Sequence, residues 1–330
     1  MPNSPKGRST LAAMALLFLP ILIGGCQDFP HQADNRPELE ILSPATHGDL
    51  QAFLAALDYD WNTLEAGVPP FILENLPADF SRTPSSERKR LFFLSILPMV
   101  LMVNEEIASQ REWLLTTLEA HDQGELLGTA QLLSITELAR EYRVDGDPLV
   151  DRTVRLSLLS RLDVIPPSLA LAQAASESGY GTSRFARLGN NFFGEWTFTP
   201  GAGIVPQQRP AGETYEVRRF DSVYDSVRSY MKNLNTNKAY RSFRLQRAQL
   251  RSQGRPLLGQ ELAAGLTQYS VRGEEYVSEI QAIIRRNRLS LLASVNLRPT
   301  STAREPLKAG LLSTRSLPQH LASRDVPVKN

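Results

Sequence analysis

The chain of 330 residues has a single cysteine, Cys26. No disulfide can form within it, so the fold must be held by its core. Histidine is also scarce. The four are His31, His47, His121 and His320, and none lies between residues 148 and 297. That stretch cannot assemble a Cys–His or Ser–His nucleophile. It also lacks the histidine ligands expected of a zinc amidase. No glycine-rich phosphate motif opens a helix there. Net charge is nearly absent: 36 basic residues face 35 acidic ones, for a formal charge of +1. Such a balance gives no argument for nucleic acid, and none is expected as a partner. No cofactor or metal is expected either. Finally, no apolar run reaches the roughly 20 residues of a membrane span. The strongest run in the body, Leu91 to Val103, contains Pro98 and reads as a buried, kinked helix.

The N-terminus carries two basic residues, Lys6 and Arg8, then the apolar segment "LAAMALLFLPILI" and the small residues Gly24 and Gly25 before Cys26. This pattern resembles a bacterial lipoprotein signal peptide over 1–25, with Cys26 as the acylated residue. An acylated Cys26 would be the contact with the membrane. Gln27 follows it. In lipoproteins of Gram-negative bacteria a residue other than Asp there implies the outer membrane, with the body facing the periplasm. Residues 26–48 are rich in Pro, Asp and Asn and read as a tether.

From 49 to 147 the pattern is helical. "SERKRLFFLSILPMVLMVNEEIASQREWLLTTLEA" is its strongest piece, with Ser85 or Ser86 placed to cap it. A second unit spans 148–297. It begins with helix to 178, passes through a glycine-containing loop and a Gly/Pro-rich stretch, and returns to helix. "YEVRRFDS" alternates apolar and polar residues, and with the turn residues of "TPGAGIVPQQRPAGE" it predicts a small hairpin lobe. Residues 298–330 are expected to form a mobile tail with a basic excess that includes Arg298.

Glu177 is the one acidic residue in "LALAQAASESGYG", and its helix ends just past it. Gly179 and Gly181 suit a left-handed cap. A carboxylate there meets the negative end of the helix dipole and, against apolar neighbours, loses solvation. Both raise its pKa. The nearest basic residues are Arg161 and Arg184, so a surface ion pair within the helix is a weak alternative. A carboxylic acid held protonated near neutrality is what glycoside cleavage needs to protonate a leaving oxygen. With the other hydrolase chemistries removed, a carboxylate glycosidase is left.

"ALAQAASESGYGTSRFARLGNNFFGEWTF" resembles glycoside hydrolase family 73, whose glucosaminidases cut peptidoglycan, and more closely its Bax-like bacterial members. The likeness continues through "GIVPQQRPAGETYEVRRFDSVYDSVRSYMKNLNTNKAYRSFR" and "LTQYSVRGEEYVSEIQAIIRRNRL", covering about 150–292. It implies a mainly α, lysozyme-like fold with a small β lobe and a groove between lobes. It implies Glu177 as general acid, Tyr269 near the cleaved sugar, and Asn190 to Gly194 along the groove. The expected partner is the glycan strand of peptidoglycan, cleaved as by an endo-β-N-acetylglucosaminidase. A second carboxylate is left open among Glu195, Glu213, Glu216 and Asp221. With none of them in place, the substrate's 2-acetamido group would be the nucleophile. Tyr180, Asn190, Asn191, Phe193 and Trp196 are the candidates for substrate contact. Strand-like alternation would put 192, 194, 196 and 198 on one face. Two other readings stay open: a non-catalytic peptidoglycan-binding scaffold on the same fold, and a lytic transglycosylase or muramidase.

Overall fold

A computed structural model of the chain describes residues 39–299. The expected signal peptide, Cys26 and most of the tail lie outside the described residues. Helices dominate, with two small sheets, which matches the mainly α, lysozyme-like class with a β lobe.

The body begins earlier than the sequence suggests. Residues 39–48 were expected to belong to the tether, yet β1 (Glu40–Leu42) pairs in parallel with β2 (Phe71–Leu73). Leu42 and Phe71 are fully buried, so burial fixes this stretch in place of its polar composition. Between the two strands lies α1 (His47–Ala56), started by a capping box of Thr46 and Asp49.

The central element is α2 (Ser85–Asp122), a helix of 38 residues. By length and composition it could cross a membrane, but 78% of its most apolar window is buried inside the body. It is the core helix, and it continues through Pro98. Its N-terminus differs from expectation. Ser85 and Ser86 are its first helical residues, and Pro84 takes the cap position with no side-chain bond to the first turn. Proline suits the extended entry backbone, and Arg88 ties the approach by donating to the Thr83 carbonyl at 2.9 Å.

After α3 (Thr129–Glu141), the single helix expected up to 178 is two helices. These are α4 (Arg152–Arg161) and α5 (Pro167–Ser178). Helix α4 reaches its C-cap at Leu162, and the Pro166–Pro167 pair starts α5, with Pro167 at the favoured first position. Helix α6 (Arg184–Gly189) leads into a three-stranded antiparallel sheet. Its strands β3 (Trp196–Thr197), β4 (Gly203–Ile204) and β5 (Glu216–Arg218) stand in the order β3-β5-β4. Helices α7 (Val223–Thr236), α8 (Arg241–Ser252), α9 (Gly259–Leu262) and α10 (Glu274–Arg286) complete the body.

One buried cluster runs from Leu42 to Leu292, across the boundary between the two expected units. Two polar devices join them. Asn104 on α2 donates to the Ile165 carbonyl at 2.7 Å and accepts from its N–H at 2.9 Å. This fixes the loop that launches α5. Asp163, 1% exposed, takes two hydrogen bonds from Arg251 and lies beside buried Arg247 and Arg111 of α2. Removal from water raises the pKa of Asp163, but these guanidinium groups outweigh that and hold it below the ordinary range.

The described C-terminus is also part of the body. Arg298 was expected in the tail. Instead its N–H donates to the Val68 carbonyl, and its guanidinium bonds the carbonyls of Leu57, Asp58 and Gly67. The first of these oxygens sits at the end of α1, where the helix leaves carbonyls unpaired.

Candidate active site

Glu177 lies on the last turn of α5. The helix ends at Gly179, which takes the left-handed conformation at φ 58° that glycine adopts without a Cβ penalty. Small residues along α5 let α10 approach closely. From α10, the Tyr276 hydroxyl reaches the Glu177 carboxylate and also accepts from Gln173 at 3.0 Å. Gln173 in turn accepts from Tyr230 of α7 at 2.7 Å. One turn on, Ser176 donates to Glu279 at 2.6 Å, and Arg272 pairs with the other oxygen of Glu279. Burial pushes the Glu177 carboxyl above its usual range. The Tyr276 hydroxyl and Arg272 oppose that shift, and the charge on Glu279 adds to it.

The wall facing Glu177 is aromatic. Tyr269 stacks on Tyr276 with ring centroids 5.3 Å apart, and Tyr240 lies 5.6 Å from Tyr269. Tyr269 donates to the Phe193 carbonyl at 3.1 Å, which ties the wall to the segment entering the β lobe. Next in that segment is Gly194, at φ 69°. A Cβ there would stand in ordinary contact, 3.5 Å from a Glu177 carboxylate oxygen, so the positive φ is what calls for glycine, and the acid faces its bare backbone.

Glu195 follows at once. It accepts from Ser229 at 2.7 Å and faces Arg218 at 3.8 Å. Its other oxygen is buried without a partner. Burial pushes its carboxyl up to about 7, against the opposing effects of Ser229 and Arg218. Tyr240, pushed up to about 12 chiefly by burial, feels both Glu195 and Glu177. Tyr240 is thus a group that the charges of both carboxylates reach. Among the described residues no cluster of three or more His, Cys, Asp or Glu could hold a metal ion.

The glucosaminidase family, described as mannosyl-glycoprotein endo-beta-N-acetylglucosaminidase, matches residues 156–289. Protein bax of Escherichia coli (strain K12) is 32% identical over 216 residues, covering 65% of this chain and 76% of that protein. The chain belongs to this Bax-like glucosaminidase family. No solved structure matches it. Membership puts it in a peptidoglycan-related glycosidase family.

Against this Bax-like frame, the residues singled out from sequence separate into two groups. Glu177, Tyr269 and Glu195 come together. The other three candidate carboxylates do not join them. Glu216 accepts from the N–H groups of Gly201 and Gly203, at 3.1 and 2.8 Å, which hold it below its usual range and make it a brace of the β hairpin. Glu213 and Asp221 are exposed, in the turn before β5 and just after it.

Several expected substrate contacts are structural. Phe193 is 3% exposed and stacks on Tyr230 at 3.8 Å, leaving no face for a sugar. Asn190 caps α6 in the left-handed conformation, and its amide reaches the Phe220 carbonyl. Asn191 is buried and bonds the backbone N–H and carbonyl of Glu195, so it aims that residue. Tyr180 packs against Phe92 and Phe93. The one-face alternation also fails, because the strand covers only Trp196–Thr197. Phe192 is fully buried, while Trp196 and Phe198 are 52% and 71% exposed. Sequence reasoning missed Tyr276, Tyr240, Gln173 and Ser229. The helical spacing of "EEYVSEIQAII" already put Tyr276 on the buried face of α10, with Glu279 one turn on.

Proposed function

We propose that this protein is an endo-β-N-acetylglucosaminidase of peptidoglycan, with Glu177 as general acid. The supporting observation is Glu177 itself. It is a carboxyl group raised by burial, held by Tyr276, and faced by the bare backbone of Gly194. Protonated Glu177 donates to the glycosidic oxygen as the bond to the GlcNAc anomeric carbon breaks. Tyr269 and Tyr240 form the wall beside that carbon. Exposed Trp196, edge-on to Tyr215 at 4.3 Å, offers a ring face to the glycan.

Glu195 is the second carboxylate in this reading. It is the one of the four candidates whose charge reaches Tyr240 together with that of Glu177, and it has an oxygen free of partners. Ionised, it serves on the far side of the sugar, as base or nucleophile. The protein acts from the outer membrane, held there by acylated Cys26 and facing the periplasm.

The test is end-group analysis of digested sacculi. Borohydride reduction of the products should yield N-acetylglucosaminitol. Muramitol would assign a muramidase, and 1,6-anhydromuramic ends a lytic transglycosylase. No cleavage at all would leave the scaffold reading.

A further inference from the structure

A surface cavity of about 630 Å³ opens at the start of α2, apart from the candidate active site. Pockets of about 300–1,000 Å³ are the usual size for ligand binding. Trp61 supplies its apolar face, backed by the buried Phe93 ring at 6.1 Å. Lys89 and Arg90 supply charge, Ser85 and Ser86 hydroxyls, and Asn287 at the end of α10 an amide. Most of these residues belong to the N-terminal region, outside the stretch that matches the glucosaminidase family. The cavity therefore exists only where that region meets α10.

Its charge is one-sided. Arg90 pairs through Nε with Asp60, leaving its terminal nitrogens. The Lys89 ammonium lies 5.0 Å over the Tyr180 ring, and no hydrogen bond or ion pair joins it to a carboxylate among the described residues. Arg286 and Arg288, both exposed, flank Asn287. The nearby acids are Asp60, already engaged, and Glu87. Ring packing behind the cavity reaches toward the candidate active site. The Phe93 ring is 5.8 Å from that of Tyr180, which follows Glu177 by three residues. A row of rings, Trp61, Phe93 and Tyr180, thus leads from the cavity to the loop that closes the Glu177 helix.

An aromatic face beside cations, hydroxyls and an amide suits one class of ligand: a sugar that carries a carboxylate-bearing peptide. Aromatic rings take the C–H face of a pyranose, and cations take the carboxylates with charge-assisted hydrogen bonds. We infer that this cavity is an accessory site for the acidic, peptide-bearing part of the glycan strand, engaged by the N-terminal region while Glu177 acts further along. This deepens the proposed function and rests on it for the identity of the polymer.

The test uses the full chain in detergent, labelled with 5-fluorotryptophan, in the Glu177→Gln background so that ligand is not consumed. Its three tryptophans, Trp61, Trp113 and Trp196, give three ¹⁹F signals, assigned by single Trp→Phe variants. Titration with the disaccharide-tetrapeptide muropeptide should shift the Trp61 signal. Lys89→Ala should weaken that response by about tenfold, the size of a lost bond to a charged group. Uncharged chitotriose should act on Trp61 at least about tenfold more weakly by the same reasoning. A Trp61 signal that stays fixed while that of Trp196 moves overturns the inference and leaves hydrolysis at Glu177 standing. An equal response to chitotriose, or to inorganic phosphate alone, overturns it as well. The end-group assay on wild-type protein tests the function separately.

Discussion

Tyr276→Phe isolates the hydroxyl that steadies Glu177. The Tyr276 O–H favours the charged carboxylate, so it holds the Glu177 pKa below the level that burial alone would set. Removing it must raise that pKa. A hydrogen bond to a charged group is worth about 1.5–3 kcal/mol. At about 1.36 kcal/mol per unit, that is ~1–2 pH units, and partial solvation of Glu177 favours the lower figure. The acid form of Glu177 is the active one, so its pKa sets the alkaline limb of kcat/KM. That limb should move upward by about one unit in hydrolysis of purified sacculi followed from pH 5 to 9. The same change leaves the buried Gln173 amide without its acceptor, at a cost of about 1–3 kcal/mol in stability. The melting temperature should therefore fall by several degrees, seen by circular dichroism. A limb that stays fixed or moves to lower pH while the melting temperature falls would refute the reasoning. Tyr276 would then be packing only, and Glu177 would not be the titrating acid.

Glu195→Gln should lower turnover about 100-fold or more with the fold intact, as loss of a base or nucleophile does; undiminished turnover would favour the substrate's acetamido group. The same variant has a stability signature. The folded-state pKa of Glu195 is raised to about 7 from an ordinary 4.5, so wild-type stability should decline as pH rises from about 4.5 through 7, by ~3 kcal/mol. Glu195→Gln should flatten that decline in urea titrations at pH 5 and 8, and an unchanged slope would count against the burial argument. Asp163→Asn strips charge from a site where Arg247 is wholly buried and should cost about 3–5 kcal/mol. Calorimetry should show one transition for both units, lowered by roughly 6–15 °C; two separate transitions, or a shift under 2 °C, would contradict the shared core. Cys26→Ser should release the protein into the soluble periplasmic fraction, whereas retention in the outer membrane after a salt wash would reject the acylated anchor.

Much of the site was legible because it is local. The turn after Glu177 depends on Gly179, and the small residues that let other elements bury the acid lie on the same helix. Both are written within a dozen positions. The β lobe was legible from the alternation in "YEVRRF". Partners supplied from a distance were not. Tyr276 lies about a hundred positions from Glu177, and only the packing of α10 on α5 joins them. Similarly, spacing could not show that Glu216 would be taken by two backbone N–H groups while Glu195 would be left with a free oxygen. The aromatics of "NNFFGEWTF" misled because a strand of two residues cannot sustain alternation. Phe192 and Phe193 both turn inward, and Asn191 ties down the chain between them and Trp196. Terminal residues misled by composition: Glu40–Leu42 and Arg298 look like linker, but backbone pairing and a guanidinium on three carbonyls hold them to the body.

The central claim is that Glu177 delivers the proton. Glu177→Gln preserves size and hydrogen-bonding capacity and removes the transferable proton. General-acid assistance is worth about 10²–10⁴-fold. The variant should therefore digest purified peptidoglycan slower by about that factor, while its circular dichroism and its sedimentation with sacculi match wild type. Digestion at the wild-type rate would place the proton donor elsewhere and contradict the account.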